Sequence, residues 1–267
     1  MERPAARAHF VQLYEADDAA LVSNVVAYLG EGLRRGQRAF AVVTKPHEAA
    51  ISQELQQSGC DVARAVADGR LTLLHTDEAL ARFMGDRHPD AARFEGSLGN
   101  MIQDAVTAEG ATGVRVYGEM VGVLWAAKQY PAAIRLEQLW HHLQQKLDFS
   151  LFCGYPIDVF GKHFDGGIIN ALLCAHTHLL PTVSNPHLER ALNRAMEDLL
   201  GLTPKELRAS VGTVLVDAWG VVPNAEATIL WLRRTHPRYA DTILETAKTY
   251  YSAAVRRSGS HAIYLDS

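Results

Sequence analysis

Apolar positions in the first two-thirds of the chain alternate between two spacings. Phe10-Val11-Gln12-Leu13-Tyr14 is a short extended run. It is followed by Leu21, Val25, Val26 and Leu29, which share one face of a helix that Asp17 or Asp18 can cap and Gly36 can end. Ala39 to Thr44 is unbrokenly apolar up to its last residue, as expected for a strand buried on both faces. Pro46 then opens a helix that closes near Gly59. Leu71–His75 reads as a third strand, with Asp77 placed to cap the next helix. A long helix is expected over about 90–109, a strand over Gly113–Tyr117, and a helix from Pro131 that carries Ile134, Leu136, Leu139, Leu143 and Leu147. Phe149–Cys153 is a fifth strand, and a last helix is expected from about Asp165 to His176.

Strands separated by helices pair in parallel through right-handed crossovers. The pattern therefore predicts an α/β fold, a three-layer sandwich with a mostly parallel central sheet. Ligands of such sheets bind outside the carboxyl ends of the strands, which here are Tyr14-Glu15, Thr44-Lys45, His75-Thr76, Gly118-Glu119 and Cys153-Gly154-Tyr155. The pattern changes after Leu180-Pro181-Thr182-Val183-Ser184-Asn185-Pro186, where two prolines and small polar residues suit a linker. Beyond it, helices are expected over His187–Leu200, Asn224–Thr235 and Arg238–Arg256, with Thr203-Pro204-Lys205-Glu206 as a cap and first turn. This divides the chain into a domain over 1–182 and a helical output or dimerisation segment over 187–267.

Composition narrows the function classes. A net charge of −4 gives no global attraction to nucleic acid, and direct nucleic-acid binding is not expected. No apolar run approaches the ~18 residues of a membrane span, and the first residues, Met-Glu-Arg-Pro-Ala-Ala-Arg, lack the apolar stretch of a secretory signal. Cys60, Cys153 and Cys174 are too few and too scattered for a disulfide framework, which points to a cytoplasmic home.

The motifs of nucleotide and hydrolytic chemistry are missing. Between Thr44 and Glu48 the chain runs Thr-Lys-Pro-His-Glu: it has no glycine to let backbone N–H groups wrap a phosphate, and Pro46 removes one donor. No Gly-x-Gly-x-x-Gly follows a strand, and no Gly-x-Ser-x-Gly, Cys-x-x-Cys or His-Glu-x-x-His occurs.

What remains is a set of side chains near the strand ends. Glu119 either meets a ligand or an opposing arginine in the cleft, or supports the start of the next helix. Glu137 lies between Leu136 and Trp140 on an apolar stretch and needs a partner, Arg115 or Arg135 being at hand. His9, Tyr14 and Tyr155 flank strands and present polar tips on apolar bodies; edge packing is the alternative. Trp125 and Trp140 suit either an apolar ligand wall or the core. Cys174 and His178 are four residues apart, so with His176 and Cys153 they can form a soft metal site or a reactive thiol; ordinary burial of the cysteines is the plainer reading.

Several segments together resemble the MEDS family, the methanogen/methylotroph and dichloromethane-regulator sensory domains. They are His9–Tyr14, the helix-loop-strand from Gly32 to Val43, Gly113-Val114-Arg115-Val116-Tyr117-Gly118-Glu119-Met120, Leu124-Trp125, Ala133–Trp140, Ser150–Pro156 and Leu173–His178. The resemblance runs over roughly residues 8–181. It implies a degenerate RecA/KaiC-like fold, a sensor of small molecules such as hydrocarbon derivatives, and linkage to signalling modules including transcription regulation. The function expected is a non-catalytic sensor that binds a small molecule through His9, Tyr14, Glu119, Trp125, Glu137, Cys153 and Tyr155. It would relay the event through the helical tail to a downstream signalling protein, most simply as a homo-oligomer. No cofactor is identified. Alternatives are a metal or redox sensor built on Cys153, Cys174, His176 and His178, an atypical nucleotide-dependent enzyme, and a pure interaction module.

Overall fold

The computed structural model describes residues 7–14, 18–161, 178–179, 185–203, 205–207, 209 and 224–257. It divides into two compact units. The described residues of the first are 7–14, 18–156 and 178–179; those of the second are 157–161 and 185 onward.

The first unit is built on β1 (His9–Tyr14), β2 (Arg38–Val43), β3 (Leu71–His75), β4 (Val114–Gly118), β5 (Ser150–Pro156) and the two-residue β6 (His178–Leu179). They form one sheet in the order β3-β2-β4-β5-β1-β6, and each of the described pairings is parallel. This is the expected α/β architecture. The short strand β6 is an addition, since the expected helix over 165–176 lies outside the described residues.

Right-handed crossovers sort the helices by face. From β1 and β2 the chain moves toward β3, placing α1 (Ala19–Arg34), α2 (Lys45–Gln57) and α3 (Val62–Ala67) on one face. From β3 and β4 it moves the other way. That puts α4 (Thr76–Phe83), α5 (Ala91–Phe94), α6 (Asn100–Thr107), α7 (Met120–Ala126) and α8 (Tyr130–Lys146) on the opposite face. Strand alternation supplies each face with its core. Ala39, Ala41, Val43, Tyr117 and Phe152 pack with Leu21, Val25 and Leu29 of α1, while Val116, Leu151 and Cys153 point to the α8 side. On that second side Phe83, Phe94, Trp140 and Phe149 form a chain of edge-to-face rings with centroids 5.0–6.2 Å apart. Trp140 is thus core, not a ligand wall.

Several local expectations change. The helix expected over 90–109 is α5 and α6 joined by a π-helical turn over Glu95–Gly99, and it ends at Thr107. Helix α4 starts at Thr76 with Asp77 inside its first turn, so Asp77 is not the cap. Asp18 stands at the start of α1 but makes no capping bond there, because its carboxylate is engaged elsewhere. Ile134 is 47% exposed, off the buried stripe of α8. Helices α3 and α7 were not foreseen: each is seven residues or fewer, too short for a periodic signal.

Two glycines fix how closely β5 can be approached. A Cβ on Gly122 of α7 would lie 2.5 Å from the Gly154 carbonyl oxygen, and one on Gly154 would lie 2.8 Å from the Tyr117 hydroxyl. At Gly122 the clash is with backbone and excludes a side chain, whereas at Gly154 a methyl group would displace the Tyr117 hydroxyl.

The second unit contains α9 (Pro186–Leu200), α10 (Asn224–Thr235) and α11 (Pro237–Arg257). Asn185 Oδ1 accepts from the His187 and Leu188 N–H groups and caps α9, with Pro186 in its first turn. Leu188, Leu192 and Met196 of α9 are buried, as are Ile243 and Leu244 of α11. Thr203 and Glu206 exchange hydrogen bonds as a capping box, as the sequence suggested.

Candidate functional site

In an open α/β sheet, the crevice lies where neighbouring strands send their helices to opposite faces. Among the described elements β2/β4 is such a place, since α2 and α7 leave to opposite faces. Like Thr44–Glu48 after β2, the connection after β1 carries no phosphate-loop signature: its residues 15–18 are Glu-Ala-Asp-Asp, acidic and without glycine or lysine.

At β2/β4 the chain fills the anion position with its own carboxylate. Only Thr44 separates β2 from α2, and its N–H donates to Glu119 Oε2 at 2.8 Å. A carboxylate there satisfies a free donor and meets the positive end of the helix dipole. Glu119 Oε1 accepts from the Tyr117 hydroxyl at 2.8 Å and contacts His47 Nδ1 at 2.5 Å. On its other side, His47 Nε2 lies 2.8 Å from Asp18 Oδ2. Glu119 is 2% exposed and His47 8%, whereas the Asp18 side chain is 48% exposed and marks the mouth. The Tyr14 ring packs edge-on against His47 at 5.9 Å. Lys45 points to solvent.

A histidine with a carboxylate on each nitrogen is held as the imidazolium, because both N–H groups then have acceptors. Burial opposes the charge, but the hydrogen bonds and charges of Glu119 and then Asp18 outweigh it and push His47 up to about 9. The Tyr14 and Tyr117 hydroxyls are pushed up, first by burial and then by the Glu119 charge, so both remain protonated donors. A second pair, His75 with Glu48, lines the same rim at the end of β3.

The other predicted residues gather on the opposite face. His9 on β1, Cys153 and Tyr155 on β5 and Glu137 on α8 are 2%, 0%, 1% and 6% exposed. His9 Nε2 is 3.4 Å from Cys153 Sγ and 3.6 Å from Glu137 Oε2. The Tyr155 hydroxyl donates to Glu137 Oε1. Half-buried Trp125 packs edge-to-face on Tyr155 at 5.7 Å and on Tyr130 at 4.9 Å. Burial, with the nearby Glu137 charge, raises the Cys153 thiol and the Tyr155 phenol.

The structure thus splits the seven predicted ligand residues. Tyr14 and Glu119 belong to the crevice; His9, Trp125, Glu137, Cys153 and Tyr155 belong to the α8 face. Glu137 does not pair with Arg115 or Arg135. Arg115 donates instead to Gln37 Oε1 and the Tyr28 carbonyl, and Arg135 to Gln138. Glu119 meets neither an arginine nor its own helix: it supports α2, from a distant part of the chain. Cys174 and His176 lie outside the described residues, and of His178 only its place on β6 beside Phe10 is described. His47, Asp18 and Tyr117 were missed. Their available signal was the placement of His47 in the first turn of a helix directly after a strand.

A separate open groove of about 480 Å³ lies at the amino ends of the strands, between Leu33, Cys60 and Arg70. It carries Arg34, Arg64 and Arg70 against Asp61 and Asp68, and shares no residue with either cluster.

Residues 8–177 match the family model described as MEDS, the methanogen/methylotroph, DcmR sensory domain. No curated protein matches the chain.

Proposed function

The chain belongs to the MEDS family of sensory domains, whose model covers well over half of it, and from that premise we propose that it senses a small neutral or cationic molecule at the β2/β4 crevice. The observation that carries this reading is the Glu119–His47–Asp18 chain, buried at one end and open at the other. The inner end is fixed by the Thr44 N–H and the Tyr117 hydroxyl. The outer bond, His47 to Asp18, is the one a ligand can take over. A ligand acceptor replaces Asp18 on His47 Nε2, and a ligand donor engages the released carboxylate. Asp18 at the mouth, with Glu48 and Glu78 along the rim, disfavours phosphates and other anions.

A sensor must bind one of two conformations better, since equal affinity shifts nothing. The exchange at Asp18 provides the difference, as Asp18 immediately precedes α1. The helices of the second unit serve as the output or dimerisation segment, acting on a downstream signalling protein.

The reading is tested by melting the full chain against a panel of small alcohols, haloalkanes and methylamines. A ligand at 100 times its Kd stabilises by about 2.7 kcal/mol, or roughly 5–10 °C for a protein of this size. At least one class is expected to produce such a shift in the wild type and lose it in Asp18→Asn and His47→Gln. Equal shifts in wild type and both variants would place the ligand elsewhere.

A further inference from the structure

The cluster on the α8 face is arranged differently from a Cys–His–carboxylate triad. In a Cys–His–carboxylate triad the thiol and the acid use different ring nitrogens, so that one orients the ring and the other exchanges a proton. Here Cys153 Sγ and Glu137 Oε2 both approach the same atom, His9 Nε2, at 3.4 and 3.6 Å. The three donor atoms thus converge on one another, and a cation can sit among them.

We propose that His9, Glu137 and Cys153 form a binding site for a single divalent ion of the zinc class. At zinc's usual bond lengths to nitrogen, oxygen and sulfur, the edges of a tetrahedron are about 3.3–3.6 Å. The two measured edges at His9 fall on that range, and all three donor atoms lie within 4.8 Å of one another. Each donor comes from a rigid element: two adjacent parallel strands and the helix packed over them. Charge supports the same ion. When it binds, Cys153 Sγ gives up its proton to solvent and becomes thiolate, Glu137 binds as carboxylate and His9 donates its neutral Nε2 lone pair. Two negative charges then meet a 2+ ion, leaving a neutral site where burial penalises any net charge.

The Tyr155 hydroxyl, donating to the other Glu137 oxygen, orients that carboxylate, as outer partners of metal ligands do. Trp125, itself half-buried, packs edge-to-face on Tyr155 and helps hold its ring in place. Three protein donors leave a fourth position for water or a small exogenous donor. The ligand set differs from the expected grouping of Cys153 with Cys174, His176 and His178. It does not rest on the crevice reading, because Cys153 and Tyr155 face away from Glu119.

The test is titration of the full, chelator-treated chain with Co²⁺, followed by displacement with Zn²⁺. One Co²⁺ per chain is expected, with the strong visible bands of a four-coordinate ion and a thiolate-to-cobalt charge-transfer band, all abolished by one equivalent of Zn²⁺. Cys153→Ser removes the charge-transfer band, and His9→Gln weakens binding at least 100-fold. Tyr155→Phe keeps the stoichiometry and weakens binding about 10-fold or more. Cobalt that stays six-coordinate, or a charge-transfer band that survives Cys153→Ser, overturns the site. Should Cys153→Ser not fold, Cys60→Ser and Cys174→Ser decide the matter by elimination among the three cysteines. Retention of the band in both supports Cys153, and its loss in either overturns the assignment.

Discussion

The two faces of the sheet hold nearly the same residue types, histidine, glutamate and tyrosine, and arrange them for different chemistry. On the α1 side His47 uses both nitrogens, one to buried Glu119 and one to half-exposed Asp18. On the α8 side His9 presents one nitrogen to two partners, a thiol and a carboxylate. The first arrangement stores a proton and opens to water at one end. The second is closed, and a metal ion suits its centre. Residue identity alone therefore does not define a site; which ring atom is engaged, and how much water reaches it, does.

The comparison is broken most forcefully by removing the anchor of the open cluster. Glu119→Ala leaves the His47 charge and the Thr44 N–H without their buried acceptor, and a cost of about 3–5 kcal/mol is expected, read by denaturant unfolding. Cobalt binding on the other face should persist in the folded fraction. If metal binding disappears with the Glu119 carboxylate at temperatures where the variant is folded, the two clusters are not separable.

The proton held by His47 predicts the pH dependence. Its value is raised in the folded state, from 6.5 to about 9. The stabilisation it brings is therefore fully present below about pH 6.5 and is lost as pH rises through about 9. The rise corresponds to on the order of 3 kcal/mol. Melting temperature should fall between pH 6.5 and 9.5 in the wild type, and this fall should be much reduced in His47→Gln. Parallel profiles for the two proteins would show that His47 is not held as imidazolium.

The gentlest probe is Gly154→Ala. The added methyl group points to the α1 side, 2.8 Å from the Tyr117 hydroxyl. It should push that hydroxyl off Glu119 and cost about 1–3 kcal/mol through overpacking. Its chain neighbours Cys153 and Tyr155 point to the opposite side. A shift in the His47 titration with unchanged cobalt affinity sharpens the contrast between the faces; the reverse result contradicts it.

The strands were legible because parallel strands buried on both faces are nearly continuous apolar runs, as Ala39–Val43 and Leu151–Cys153 are. Longer helices were legible from their buried stripes, and the cap at Thr203 from local chemistry, whereas Asn185, read as linker, proves to cap α9. The candidate residues at strand ends were also found, because the fold class says where strand ends lead. Their grouping was not. Tyr155 and Glu119 looked like members of one cleft, but Tyr155 and Tyr117 alternate to opposite faces, and no sequence pattern states which strand neighbours which.

By itself, the sequence determined the periodicities, the element types, the glycine-free connections after β1 and β2, and the identity of the buried polar side chains. These follow from interactions within a few residues. The tertiary structure alone decided the order β3-β2-β4-β5-β1-β6, and with it the meetings of Glu119 with Thr44 and His47, and of His9 with Cys153 and Glu137. Those contacts span 72 to 144 residues of chain. They exist because sheet register brings distant segments within hydrogen-bonding reach, which no local pattern of hydrophobic and polar positions encodes.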